Sequence, residues 1–277
     1  LPAMQISEVV VHLEHGSSLR KDIMKAKHIL TTAALAAMLV VPVSAKADIL
    51  FGVHGEVQYW QAENSGSFSQ NPNPFSWGWD DEGATRVSLS LNHFVPFVPN
   101  VMIQKQWLES SGSTPHDFDL GIVNTVFQAN ANGSLQYNWD LAHDTYTLYY
   151  RFFDNSLVGF HFGVAAKRFT GEMEVTDGNT AFRSPIDETV PMAYLRLNAG
   201  LPFTGLSVRA QGYPVSIGDH EVYDVEASLR YEFLDSLVLD GAIQIGYRVF
   251  NVAFEDASGL YTDFEMKGPF ASVSLHF

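Results

Sequence analysis

The sequence predicts an all-β protein: a transmembrane, antiparallel up-and-down β-barrel of ten strands, with short periplasmic turns and long extracellular loops. Three observations predict it. Apolar and polar residues alternate with period two over segments of about ten residues or more, the length that crosses a bilayer at a tilt. An export signal precedes those segments. The chain closes on an alternating stretch that ends in an aromatic residue.

The elements follow in chain order. Residues 1–23 begin with Leu1 and lie upstream of a segment that reads as an export signal. Because such a signal works at a chain start, the expectation is that this stretch is translated upstream sequence and that Met24 is the true start. Residues 24–47 have the three parts of a secretory signal peptide. Lys25 and Lys27 form a basic start, Ile29 to Val43 an apolar run, and Ser44-Ala45-Lys46-Ala47 a small-x-small end with cleavage after Ala47. The run is too short for a membrane-spanning helix of roughly 20 residues. Residues 48–277 then form the barrel.

Within that stretch the alternation is cleanest from Leu237 to Phe250. Leu237, Leu239, Ile243, Ile245, Tyr247 and Val249 make one face; Asp240, Gln244 and Arg248 stand on the other. Val225, Ala227, Leu229, Tyr231 and Phe233 alternate in the same way with Asp224, Glu226, Arg230 and Glu232. Such a period belongs to strands, not helices. On this basis strands are expected near 49–61, 84–95, 100–108, 141–153, 157–169, 189–198, 206–215, 222–233, 237–250 and 264–277. Their connections are short at 96–99, 154–156, 199–205 and 234–236. They are mostly longer at 62–83, 109–140, 170–188, 216–221 and 251–263, the asymmetry of an outer-membrane barrel. Twelve strands is the alternative, because Leu120–Gln128 and Ser134–Trp139 alternate weakly about Asn130-Ala131-Asn132-Gly133. A hairpin rising above the membrane is the other way to place that pair.

Ala271, Val273, Leu275 and the terminal Phe277 alternate with Ser272, Ser274 and His276. This stretch resembles the C-terminal signal that the barrel-assembly machinery recognises in bacterial outer-membrane proteins. Aromatics gather where strands meet connections, as at Tyr59, Trp60, Phe94, Phe97, Trp107, Phe152, Phe153, Tyr231 and Phe233, and fit headgroup-level girdles.

A membrane barrel turns its apolar face to lipid and its polar face to its own axis. The lumen is therefore expected to hold Glu56, Arg86, Arg151, Arg209, Asp224, Glu226, Arg230, Glu232, Asp240 and Arg248 as an ion-pair network. Ten strands enclose little space, since diameter grows with strand number. Such side chains would largely plug it.

Composition excludes several classes. The 277 residues include no cysteine, which removes disulfides, Cys-based zinc sites and thiol nucleophiles. A net charge of -15 makes nucleic acid an unsuitable partner.

Several segments resemble a family of small Gram-negative outer-membrane β-barrel proteins with no established activity. They are Asp140 to Tyr150 (with His143, Asp144 and Tyr149), Asp154-Asn155, Leu201-Pro202-Phe203-Thr204-Gly205, Gly246-Tyr247-Arg248, and Ser274-Leu275-His276-Phe277. The resemblance runs over essentially all of 48–277. It implies the fold and a location in the outer membrane of a Gram-negative bacterium, and brings no catalytic residues.

Two enzymatic arrangements have partial counterparts in the sequence. Omptin-like proteases place acidic and Asp/His pairs at the outer rim, each pair separated by one residue. Here Asp80-Asp81 and Asp219-His220 are adjacent, so their side chains point oppositely in an extended strand. A lipid-A-modifying centre could draw on His143, Asp144 and His161, but no serine stands out as a partner. No catalytic residue, metal site or cofactor is assigned.

The outer connections and strand tops carry much of the acid: Asp80, Asp81, Glu82, Glu109, Asp117, Asp119, Glu172, Glu174, Asp177, Asp187, Glu188, Asp219, Glu221, Glu255 and Asp256. Against these stand Arg183, Lys167 and Arg168. Such a rim attracts cations. The expected partners are outer-membrane lipid and lipopolysaccharide through shared divalent cations, with the barrel-assembly machinery during biogenesis. The expected role is structural or interactive, with a narrow cation-preferring channel as the alternative.

Overall fold

The computed structural model describes residues 51–69, 75–114, 118–119, 126–127, 135–155, 157–178, 180–216, 221–236, 239–257 and 260–277. The upstream stretch, the signal segment with Ala45 and Ala47, and the Asp219-His220 pair lie outside the described residues, as do Asp117 and most of 120–134.

Fifteen strands are present among the described residues. They are β1 (Phe51–Ser69), β2 (Phe75–Trp77), β3 (Glu82–His93), β4 (Asn100–Trp107), β5 (Glu109–Thr114), β6 (Phe118–Asp119), β7 (Val126–Phe127), β8 (Leu135–Asp140), β9 (His143–Asp154), β10 (Val158–Thr176), β11 (Ala181–Leu201), β12 (Leu206–Ser216), β13 (Glu221–Leu234), β14 (Asp240–Ala257) and β15 (Leu260–His276). Ten of them form the barrel in the order β11-β12-β13-β14-β15-β1-β3-β4-β9-β10, all antiparallel, and β10 pairs with β11 to close it. The seam between first and last strands is held to its end, with Val53 and Phe277 exchanging backbone hydrogen bonds at 3.0 and 2.9 Å.

The barrel has ten strands, not twelve. Leu135–Asp140 extends β9 upward after a break at Leu141 and Ala142, and pairs with β5 and with the top of β10. β5 extends β4 beyond Leu108 in the same way, and Leu141 N donates to Leu108 O at 2.8 Å across the two breaks. The two extensions continue the wall above the spanning region.

The other strands also run further than the alternation placed them. The segment 170–188 is mostly wall, since β10 and β11 pair rung by rung up to Thr176 and Ala181. β14 and β15 pair up to Ala257 and Leu260.

The outer surface explains the difference. Its lower part is a continuous apolar belt that includes Val53, Leu89, Ile103, Leu148, Val164, Leu197, Leu229, Ile245 and Val273, all exposed. A surface of that kind is stable against lipid and not against water. Phe94, Phe97, Trp107, Phe152, Phe153, Tyr231 and Phe233 are exposed with it.

Above the belt the polarity reverses. On β10, Phe162 and Val164 face out while His161 and Lys167 face in; higher up Phe169, Met173 and Val175 face in while Glu172 and Arg183 of β11 pair outside. The same exchange occurs on β15, where Phe264 and Met266 are buried and Glu265 and Lys267 pair outside. The top of the wall obeys the rule of a water-soluble protein, apolar inside and charged outside. A closed barrel with an apolar belt is the outer-membrane kind, and the chain is an integral protein of a Gram-negative outer membrane.

Two of the short turns share a backbone device. In Val95-Pro96-Phe97-Val98 and Leu201-Pro202-Phe203-Thr204 the phenylalanine has φ of 65°. Proline one residue earlier sets the first corner, and the next residue must take the left-handed region that glycine normally fills. Both rings are exposed.

Candidate functional site: the barrel lumen

Inward-facing side chains stack in three layers along the axis. The periplasmic layer is polar, the middle layer ionic, and the outer layer apolar.

The ionic layer is built on Asp224 of β13. Arg248 of β14 donates to it twice, Nε to Oδ1 at 2.7 Å and Nη2 to Oδ2 at 2.8 Å. Lys167 of β10 reaches Oδ2 from across the barrel at 2.7 Å, and its Nζ lies 3.2 Å from His143 Nε2. One rung below, Glu226 accepts from Arg86 at 2.7 Å and from Gln58 at 3.0 Å, with Gln211 also bonded to it. Glu56 lies 3.9 Å from Arg86. Three cations thus meet three carboxylates, and Gln58 and Gln106 bond the remaining arm of Arg248. Charges this deep are tolerable only when each is paired and hydrogen-bonded. Tyr213 seals one side, its hydroxyl bonded to Gln104 Oε1 at 2.7 Å and to Thr147 at 2.9 Å.

The outer layer lies directly on this one. The Arg248 guanidinium sits 4.6 Å from the Trp60 ring centroid, a cation–π contact in a site closed to water. Above it Phe169, Phe250, Phe254, Trp139, Phe264 and Met266 are all buried. Trp79 packs edge-on against Phe264 at 4.8 Å and Tyr137 at 4.9 Å. Burial raises the Tyr137 hydroxyl to about 12, helped by the Asp80 charge, and that hydroxyl donates to Gly78 O.

Below the ionic layer the side chains part. A cavity of about 120 Å³ is lined by His54, Glu56, Asp154, His161, Arg196, Arg209 and Arg230 among others. Beside Arg86, Asp224 and Glu226 lies a smaller space of about 10 Å³, roughly the room of one water.

The structure therefore brings Glu56, Arg86, Asp224, Glu226 and Arg248 into one cluster, and adds Lys167, which the sequence pattern places at a strand end among the external cations. Odd-numbered residues of β10 face inward, and that parity was the available signal. The other expected members stand apart. Arg209 lies lower and bonds only amide oxygens, of Asn198 at 2.8 Å and Gln244 at 3.2 Å. Arg151 pairs with its neighbour Asp154, Arg230 with Glu232, and Asp240 with His276. These pairs sit at the periplasmic mouth, where strands end and the nearest partner is on the same strand or the adjacent one. Arg151 stands opposite the inward-facing His161, beside a slip in pairing at Phe160 and His161. Trp60, expected in a girdle beside Tyr59, is instead 0% exposed and faces the axis.

The enzymatic candidates do not converge. His143 is buried, while Asp144 faces outward and pairs with Lys105 at 3.1 Å. His161 lies in the lower layer, with the Asp154 carboxylate at 3.6 Å. Asp80 and Asp81 are exposed beside β5, where Asp80 N donates to Ser111 O. Among the described residues no cluster of three potential metal ligands occurs.

No protein-family model matches the chain, and no curated protein sequence matches it. Among solved structures it is similar to the outer-membrane protease OmpT from Escherichia coli, at 8% identity and a TM-score of 0.41, over 85% of this chain and 98% of that one. It is also similar to Ail, the attachment invasion locus protein of Yersinia pestis, solved with a heparin analogue: 8% identity, TM-score 0.31, over 80% of this chain and 99% of that one. Neisserial surface protein A gives 10% identity and a TM-score of 0.31, over 82% of this chain and 95% of that one. Likeness this distant says nothing about activity.

Proposed function

We propose that the protein serves the outer membrane as a structural or interaction element whose barrel does not conduct. The observation that carries this reading is the Arg248–Asp224–Lys167 bridge, which joins β10 to β13 and β14 across the lumen directly beneath Trp60 and the apolar layer. An ion crossing there would have to part a paired charge cluster and then enter a space without polar partners. A narrow cation-preferring channel fits less well, because arginines line the chamber below the bridge. An enzyme fits less well too, since His143 and Asp144 face opposite ways.

Outside, each basic residue of the outer rim is matched to a carboxylate: Arg168 to Asp187, Arg183 to Glu174, and Lys267 to Glu265. Surplus carboxylates at that level suit shared divalent cations, and with them the phosphates of lipopolysaccharide. Ala271, Val273 and Leu275 lie on the last strand with Phe277 just beyond it, as a barrel-assembly signal would require.

Planar-bilayer recording tests the main reading. Purified protein should insert without steady current. Sustained cation-selective conductance would overturn it.

A further inference from the structure

The lower chamber has cations without counter-ions. Arg196, Arg209 and Arg230 sit on three successive strands, β11, β12 and β13. The register makes them diagonal neighbours on the inner face. Asn198 is opposite Arg209, which sets Arg196 one step diagonal to it, and Ser207 is opposite Arg230. All three line the same cavity of about 120 Å³. Among the described residues no carboxylate pairs with Arg196 or Arg209, and Arg209 finds only amide oxygens. Arg230 is matched by Glu232 at the mouth, but its Nε and that of Arg196 are buried without a hydrogen-bond partner. His161, 5% exposed, lines the same space, its ring nitrogens without a hydrogen bond and Nε2 lying 3.6 Å from Asp154 Oδ1.

Three guanidinium groups on neighbouring strands repel one another, and leaving buried donors unmade costs free energy. Elsewhere in this lumen every such cation has been given a carboxylate. Two carboxylates do line the chamber, Glu56 and Asp154, but their ion pairs go to Arg86 and Arg151, and neither pairs with Arg196 or Arg209. The chamber has room for several waters and polar groups on all sides.

We infer that this chamber is a binding site for a small oxyanion, phosphate-like or carboxylate, reached from the periplasmic end. Arg196 and Arg209 supply planar donors of the kind that bind such anions in paired fashion. His161 completes the wall. The inference is independent of conduction, since it concerns the layer below the bridge.

The test uses the mature chain folded in detergent micelles, titrated calorimetrically with inorganic phosphate and, in parallel, with sulfate and acetate. Saturable binding of one anion per barrel is expected, and the ranking of the three assigns the class. Arg209→Gln should weaken binding at least tenfold. Ser228→Asp is the second variant. Ser228 lies opposite Arg209 and two residues from Arg230, so the new carboxylate supplies the missing counter-ion from within. It too should weaken binding at least tenfold, while raising the unfolding temperature of the anion-free protein. Arg168→Gln, on the outer surface, should bind as the parent does. Folding of each variant is checked by the slower migration of the heated protein in gels. Absence of saturable binding in the parent overturns the inference, as does unchanged affinity in a folded Arg209→Gln or Ser228→Asp. Equal loss in Arg168→Gln also overturns it, by showing a diffuse surface effect.

Discussion

Arg248 stands opposite Glu226 on the neighbouring strand, yet its paired hydrogen bonds go to Asp224, one step along the diagonal. The choice frees Glu226 for Arg86 on the far wall and lets one carboxylate hold both Arg248 and Lys167. Asp224 is thus the common anion of two buried cations contributed by different sides of the barrel.

Asp224→Ala should be among the most damaging single changes in the lumen. It leaves two buried cations unpaired, for which a loss of about 3–5 kcal/mol is expected. Urea unfolding followed by tryptophan fluorescence measures it. Replacing Lys167, Asp224 and Arg248 together by Met, Leu and Met should cost less than the single change, because no charge is then stranded. A triple variant less stable than Asp224→Ala would refute the argument.

Phe250→Ala should cost about 3–5 kcal/mol through the cavity it leaves in the apolar layer. Phe153, which is exposed, should tolerate the same change with a much smaller loss in micelles. The contrast between the two, measured in one set of unfolding curves, tests whether the outer half of the lumen is a true core.

Ile245 is 63% exposed, and in a water-soluble protein a charge there would be harmless. In a bilayer Ile245→Arg should cost about 2–4 kcal/mol. Folding yield into lipid vesicles reads the difference directly. Full tolerance in vesicles would contradict the assignment of the belt.

Gly212 has φ of 146° where the β11–β12 register shifts, and an added Cβ would lie 2.1 Å from Asp224 O. Gly212→Ala should cost about 1–3 kcal/mol in backbone strain and disturb both Asp224 and the neighbouring Tyr213. Gly55→Ala, with open space around the new methyl, should be nearly neutral. Thermal unfolding of the two variants side by side checks the claim.

The fold was legible because lipid imposes one rule on every strand. The alternation of Leu237 to Phe250, or Val225 to Phe233, is the direct imprint of a wall with oil on one side. The same rule hid the strand tops. Around Arg168 the apolar residues pass from even to odd positions, so a reader tracking one apolar face sees Thr170, Glu172 and Glu174 and ends the strand. In the same stretch Phe169, Met173 and Val175 continue it on the other face. The lumen cluster was half legible for a related reason. Parity identified which charged residues face the axis, including Arg86, Asp224, Glu226 and Arg248. It could not give height, and height decides partners. Arg151, Arg230, Glu232 and Asp240 share the face but sit at the mouth, where partners on the same or the adjacent strand are nearest.

The reversal of polarity between Ala166 and Phe169, repeated near Pro269 on the last strand, works as a depth gauge written into the wall. Sinking the molecule by a turn of the pleat would drown Arg168, Asp187 and Lys267 in hydrocarbon. Raising it would strand Leu197 and Ile245 in water. Either error is penalised around the whole circumference at once. The protein therefore has one level and one direction in which it can rest in its membrane.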